Sequence, residues 1–405
     1  KSTVDSDVII VVLSEATLNA IKLAGGLGEA FNKCFLSVSS NAVTDMNQGE
    51  VTVIAATGAL DLKADKYTAD STKPTLTTFS LDMNGLQLKL TFNEPVAAAE
   101  FSPTKFVLQH TLTAANDKMV ALTSASSTAS NNGLIIVVTI GETDANNIKA
   151  ITALATSDTN TYLTIASGGI ADLAVAANDV FVVADGSAMK IADGEFTEDS
   201  TQPQLVGFNL NMDTLDLVLA FDEIVNADLT DPTKFKLAAS ANDNNIVTVS
   251  GSVTTTGPAT AVTIRLTDDM ANLLKATDGL CSATADTYIA IVADAVTDMN
   301  GKKIATLASN TAKRVTTYTV DTTDPTLSSV QITMPTSKPP LHVILEFSES
   351  VALSTFDPTG VTLQDKADGT GTAFTLTSPS TVAFVSGSTT RIDITVSTND
   401  LASIK

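Results

Sequence analysis

Near-copies of the same segments return along this chain at intervals of 122 to 130 residues, and no other feature constrains its fold as tightly. The stretch LKLTFNEPVAAAEFSPTKFVLQ (88–109) is echoed by LVLAFDEIVNADLTDPTKFKL (217–237) and by VILEFSESVALSTFDPTGVTLQ (343–364). Glu94, Glu223 and Glu349 fall in register there, as do Pro103, Pro232 and Pro358. A second block runs through DVIIVVLSEATLNAIK (7–22), GLIIVVTIGETDANNIK (133–149), AVTIRLTDDMANLLK (261–275) and RIDITVSTNDLASIK (391–405). After it come FLSVSSNAVTDMN (35–47), YLTIASGGIADLA (162–174) and YIAIVADAVTDMN (288–300), which align Asp45, Asp172 and Asp298. A third block, YTADSTKPTL (67–76), FTEDSTQPQL (196–205) and YTVDTTDPTL (318–327), carries Asp70, Asp199 and Asp321 and reads as the junction between repeats.

This order predicts four segments. Residues 1–72 are the C-terminal half of a repeat, 73–201 and 202–323 are complete repeats, and 324–405 are the N-terminal part of another. In the first complete repeat, alternating apolar residues predict seven strands near 75–81, 86–92, 105–109, 118–123, 134–140, 161–167 and 178–184. A short helix is expected between the fifth and sixth. In its copy at 14–22, Ser14 is the expected N-cap and Leu18 and Ile21 share a face; Thr143, Thr267 and Thr398 are the expected caps elsewhere. Short alternating strands without βαβ spacing point to an all-β chain of tandem immunoglobulin-like antiparallel β-sandwiches in a linear array.

Composition narrows the function classes. Hydrophobic residues make up 44% and charged residues 17%, a folding composition rather than a disordered one. The net charge of −22 repels nucleic acid and anionic lipid, so neither is an expected partner. No apolar run reaches the roughly 18 residues of a membrane span, so no membrane insertion is expected. The chain opens on Lys1 within a repeat, which reads as a stretch of a longer repetitive polypeptide; head-to-tail completion by a second copy is the competing reading. Two cysteines, Cys34 and Cys281, lie a whole repeat apart, too far for an intrachain bridge in a linear array. They are expected as buried thiols or as links within an assembly.

An alternating strand ending F-[NDS]-E-x-V, then Y-x-[LI] and a [VI]-x-D-[ML] turn, resembles bacterial immunoglobulin-like repeats of the kind found in S-layer proteins and large surface adhesins. Similar repeats occur in giant extracellular proteins of protists and algae. The resemblance covers the whole chain and implies a sandwich fold and an extracellular, cell-surface setting. It carries over no catalytic residue. The second copy departs from the pattern, with ADLAVAAND where the others read TDMN.

The periodic acids are the candidate site residues. In LQLKLTFNEP, Leu86, Leu88, Leu90 and Phe92 share one strand face, and Glu94 is next in that register. Glu223 and Glu349 repeat the arrangement. A carboxylate on a core-facing side needs hydrogen bonds or a cation. Either Glu accepts N–H bonds from the adjoining loop, with Lys105 and Lys234 as further partners for the first two copies, or it shares a calcium site. The junction acids Asp70, Asp199 and Asp321 are either Asx-type caps or calcium ligands between repeats. Calcium is the one cofactor these six residues suggest, and it needs six to eight oxygens. Asp45, Asp172 and Asp298 are expected to brace their own turns.

Nothing in the sequence marks an active site. His110 and His342 stand in non-equivalent contexts and read as surface residues, and no G-x-S-x-G, HExxH, CxxC or phosphate loop occurs. A carboxylate pair repeated once per domain is the habit of structure rather than catalysis. No asparagine begins an N-x-[ST] sequon. The expected role is therefore a non-enzymatic building block of a surface filament, hair, stalk or sheath that assembles with copies of itself. The alternative is a spacer or binding module of a large adhesin, although four Tyr and no Trp leave little for an aromatic sugar-binding face.

Overall fold

The hairpin at the front of each repeat shows how the alternation is used. In the computed structural model, which describes residues 4–114, 117–242, 246–333, 340–377 and 380–404, the chain divides into two units, Lys1–Thr201 and Gln202–Lys405. Unit 1 opens with α1 (Glu15–Leu23) and a two-residue pair, β1 (Phe35–Leu36) with β2 (Leu60–Asp61). Then come β3 (Leu76–Asp82), β4 (Gln87–Val96), β5 (Phe106–Gln109), β6 (Met119–Ala121), β7 (Ser127–Thr128) and β8 (Gly133–Thr139). After α2 (Glu142–Lys149) follow β9 (Tyr162–Ile165), β10 (Met189–Lys190) and β11 (Phe196–Thr197).

These strands form a five-stranded sheet, β11-β3-β4-β8-β7, and a four-stranded sheet, β10-β9-β5-β6. Leu88, Leu90, Ile136 and Val138 of the first pack with Phe106, Leu108, Leu163 and Ile165 of the second in one core. That is a β-sandwich, with alternate residues of each strand turned inward.

Unit 2 repeats it: β12 (Leu205–Asn211), β13 (Asp216–Asn226), β14 (Phe235–Ala238), β15 (Ile246–Thr248), β16 (Gly251–Val253), β17 (Pro258–Leu266), α3 (Asp268–Ala276), β18 (Tyr288–Ile291), β19 (Lys313–Arg314) and β20 (Thr317–Thr319). The sheet orders, β16-β17-β13-β12-β20 and β15-β14-β18-β19, match those of unit 1 strand for strand. A separate core behind it joins β22 (His342–Phe347) and β26 (Arg391–Thr395) through Val343, Leu345, Ile392 and Ile394. These lie in the sheet β21-β22-β26-β25, with β21 (Leu327–Thr333) and β25 (Thr381–Phe384) flanking; β23 (Thr362–Gln364) pairs β24 (Ala373–Thr375), and α4 (Thr398–Ile404) follows.

The chain is all-β with short helices, but several details differ from the sequence expectation. Among the described residues each complete repeat has nine strands, because two- and three-residue edge pairs carry too little alternation to be read. Leu86 lies in the turn before β4, at φ 51°, as does Leu215 at φ 60° in the next copy. The expected strand at 178–184 is reduced to isolated bridges, Ala171 to Asp179 and Ile165 to Val183. The outermost strand of each large sheet is parallel to its neighbour, not antiparallel: β11 beside β3 and β20 beside β12. First and last strands therefore run the same way, so the chain enters and leaves each sandwich at opposite ends.

The helix starts also shift. Ser14 caps α1 by accepting the N–H of Thr17, and Thr267 caps α3 by accepting that of Met270. Thr143 and Thr398 are instead inside their helices. Gly141 occupies the cap of α2, where a Cβ would lie 2.3 Å from the carbonyl oxygen of Ala125. At α4 it is Ser397 whose Oγ accepts the N–H of Asp400. Residues 8–13, a copy of β8, form no strand and are exposed from Val8 to Leu13. Their copies β8, β17 and β26 are central strands with a neighbour on either side.

Candidate functional site

The strand register delivers Glu94 to the core side of β4, where it is 4% exposed. Burial alone would raise its pKa, and what meets the carboxylate is a lysine from far away in sequence. Lys22, at the C-terminal end of α1, pairs with Glu94 Oε2 and lies 2.7 Å from Asp70 Oδ2. The partner is thus neither Lys105 nor a set of loop N–H groups. The other oxygen of Asp70 accepts the N–H of Thr72 at 3.0 Å.

The same construction returns twice. Lys149, at the end of α2, lies 2.8 Å from Asp199 Oδ2, while Asp199 Oδ1 accepts the N–H of Thr201 at 3.1 Å. Lys275, near the end of α3, lies 2.5 Å from both Asp321 Oδ2 and Glu349 Oε2, and Asp321 Oδ1 accepts the N–H of Thr323 at 3.0 Å. In unit 2 this lysine ties the helix of one sandwich to the strand end of the next. Three residues before it, Asn272 reinforces the tie: Oδ1 accepts the Ser350 N–H at 2.8 Å. Glu349 follows the end of β22 and is less buried than Glu94 or Glu223.

Each helix supplies its lysine from the last turn, where a cation complements the helix dipole. Each junction Asp uses one oxygen to hold its own Asx turn and the other to hold the lysine. The electrostatics follow. Burial pulls the Lys22 pKa down, but bonds to Asp70 and Glu94 outweigh it and the pKa rises above 10.5; Lys275 is raised the same way by Asp321 and Glu349. Asp70, Asp199 and Asp321 sit below their ordinary 3.8: burial opposes this, and the lysine and threonine hydrogen bonds prevail. Glu94 goes the other way. Burial and the charges of Asp70 and Asp172 together outweigh Lys22, so its pKa is raised above 4.5.

The turn acids are braced by backbone. Asp45 Oδ1 accepts the N–H groups of Asn47 and Gly49 at 2.8 and 2.7 Å. Asp172 Oδ1 accepts from Ala174 and Asn178, and Asp298 Oδ1 from Asn300 and Lys302. Asp172 is 2% exposed and lies against the Asp70–Glu94 pair, the three carboxylates each offering an oxygen within 4.8 Å of the others. Glu223 and Asp298 are buried in unit 2, with Asp298 bridged to Val225 of β13. Among the described residues, no third acid joins Asp321 and Glu349 at such range.

The lysines escaped the sequence reading although the signal was present. Lys22, Lys149 and Lys275 close the same repeated block, each preceded at three residues by Asn, in a chain with only 23 basic residues. The fourth copy ends on Lys405, which lies outside the described residues. Neither histidine is a plain surface residue: His342 Nδ1 lies 2.9 Å from Asp393 across the sheet, and His110 is half-buried. Both cysteines are free thiols. Cys281 is buried, and desolvation pushes its pKa up to about 12; Cys34 is half-buried. No described helix is long and apolar enough to cross a membrane.

No family model matches the chain, and no curated protein matches it. Among solved structures it is similar to the N-terminal part of the bacterial S-layer protein SbsC, at 15% identity over 49% of this chain and 44% of that one, with a TM-score of 0.18. Domains 1–6 of SbsC align at 12% identity over 80% of this chain and 50% of theirs, TM-score 0.21. A marsupial T cell receptor aligns at 10% identity over 80% and 91%, TM-score 0.16. The likeness is loose, and the chain spans about half the length of the S-layer chains or less.

Proposed function

We propose that this chain is a non-enzymatic structural repeat protein of a cell surface, a building block of a filament, stalk, hair or sheath that assembles with copies of itself. The observation that carries the reading is the lysine tie. Ionisable groups from distant parts of the repeat are spent on fixing one element to another: Lys22 to Asp70 and Glu94, Lys149 to Asp199, Lys275 to Asp321 and Glu349. A catalytic carboxylate needs access to a substrate and a partner of contrasting pKa; here each acid faces an ammonium, and each junction Asp also holds its own backbone turn.

The rest of the repeat supports the same role. Parallel first and last strands send the chain onward from the far end of each sandwich. The junction is pinned back onto the front hairpin. Thr322 donates its N–H and Oγ1 to Asp213 at 3.0 and 2.8 Å, and Ser200 does the same to Asn84 at 3.2 and 2.7 Å. Such stitching fixes each junction segment to its own repeat, which suits a load-bearing or spacing element. The charge of −22 suits a surface bathed in salt, where a Debye length of about 8 Å screens self-repulsion.

Electron microscopy of the purified chain and of native material labelled with an antibody to it tests this. Filaments, sheets or regular arrays at the cell surface are expected. A monodisperse monomer at all concentrations, with label confined inside cells, would overturn it.

A further inference from the structure

The Asp70–Glu94–Asp172 cluster in unit 1 carries more negative charge than its lysine neutralises. Three carboxylates face one ammonium, leaving two negative charges in a place where Glu94 is 4% and Asp172 2% exposed. Buried uncompensated charge is expensive. An independent observation shows where it is least satisfied. Glu94 Oε2 is taken by Lys22, but Glu94 Oε1 is buried with no hydrogen-bond partner among the described residues. Its neighbours are committed yet unsaturated. Asp172 Oδ1 accepts two backbone N–H groups and Oδ2 accepts Asn178 Nδ2 at 2.8 Å, while Asp70 accepts Thr72 N–H and Lys22. A carboxylate oxygen with one or two donors still has a lone pair for a metal.

We propose that this cluster binds one divalent cation of the hard, oxygen-preferring kind, Ca²⁺, with Glu94 Oε1 as its central ligand and oxygens of Asp70 and Asp172 beside it, while Lys22 keeps Glu94 Oε2. Two positive charges balance the two left over. The donor set contains no nitrogen or sulfur, which disfavours zinc and copper. An irregular set completed by water suits Ca²⁺ better than Mg²⁺, which demands near-ideal octahedral geometry. Water has a route in: an adjoining cavity of about 660 Å³ is lined by Lys22, Tyr67, Asp70, Thr72 and Glu94. The ion would tighten the attachment of β4 to the junction that α1 already holds, so it acts on local rigidity.

The experiment uses the full chain and two probes, Ca²⁺ by calorimetry and Tb³⁺ by luminescence, with Tyr67 in the cavity wall as the sensitiser. Saturable Ca²⁺ binding is expected, weakened about tenfold or more by Glu94→Gln and by Asp172→Asn. Tyr67→Phe should remove sensitised Tb³⁺ emission while calorimetric Ca²⁺ binding stays. Far-UV circular dichroism checks that each variant is folded, and if Asp172→Asn is not, the Glu94→Gln result decides. No binding by the wild type up to about 10 mM, far weaker than even extracellular calcium modules, would overturn the proposal. So would binding unchanged in Glu94→Gln. Binding that appears only in Lys22→Met would also overturn it, because the ammonium would then be the sole cation of the native cluster. None of these outcomes bears on whether the chain assembles, which microscopy reads separately.

Discussion

Replacing Lys149 by Met isolates what the lysine tie contributes. The Lys149 and Asp199 side chains are 8% and 0% exposed, with Nζ and Oδ2 at 2.8 Å. At an effective dielectric of 20 the Coulomb attraction at that distance is roughly 6 kcal/mol, most of it offset by the loss of hydration of both groups. Met keeps nearly the length of the side chain and removes only the charge, so little packing is lost. What remains is a buried carboxylate holding only the Thr201 hydrogen bonds. Breaking a buried pair from one side costs about 3–5 kcal/mol. We expect the low end, about 3 kcal/mol at pH 7, because Asp199 can take up a proton instead. That corresponds to roughly 10 °C in the calorimetric transition of a domain of this size.

The pH dependence gives the sign. In the wild type the folded Asp199 pKa is depressed, so its contribution is present above the ordinary value of 3.8 and lost as pH falls through the folded one. In Lys149→Met burial prevails and that pKa rises, so the deficit is largest at neutral pH and shrinks on acidification. The double variant Lys149→Met/Asp199→Asn should recover most of the loss, since removing both charges is far cheaper than removing one. Scanning calorimetry, with hydrogen exchange to locate the shifted transition in residues 134–165, reads all three. A single variant within about 0.5 kcal/mol of wild type at pH 7, with no coupling in the double variant, would refute the idea that these ties hold the repeat together.

Further outcomes follow from the same geometry. Stability should also decline as pH rises past 10.5, because Lys22 and Lys275 hold their protons more tightly folded than unfolded; alkaline titration by circular dichroism checks this. Thr267→Ala should cost about 1 kcal/mol in urea melts through the lost cap of α3. Gly141→Ala should cost at least as much despite Ala's better helix propensity, because its methyl would meet the Ala125 carbonyl at 2.3 Å. Cys281, with its pKa near 12 and its side chain buried, should resist iodoacetamide at pH 8 in native protein and react fully in urea, as mass spectrometry would show.

How much of this was legible depended on the range of the interaction. The repeat, the sandwich and the inward turn of Glu94 follow from period and alternation, which are local properties of the chain. The partner of Glu94 is not local: Lys22 is 72 residues away, and Lys275 is 74 residues from Glu349. Lys105 is nearer in sequence, yet Lys22 meets Glu94, because chain distance says little about which helix end a sandwich lays against a strand. The short edge strands β7 and β11 were hidden for another reason. Two residues carry no periodicity, and they exist only because a neighbouring strand offers free N–H and C=O groups. Thr143 misled because threonine is a good cap in general, while at α2 the approach of Ala125 leaves room for glycine alone.

The parallel pairing of β11 with β3, and of β20 with β12, sets how a repeat answers to pulling. Force applied at the start of β3 and the end of β11 draws the two strands past each other lengthwise, so Leu81 N–H to Glu195 O and Met83 N–H to Thr197 O must break together. Had the pair been antiparallel, the same tension would have peeled those bonds open one at a time. A thread made of such modules yields by shear rather than by unzipping, and mechanical toughness is then a property of strand direction, obtained without a single covalent cross-link.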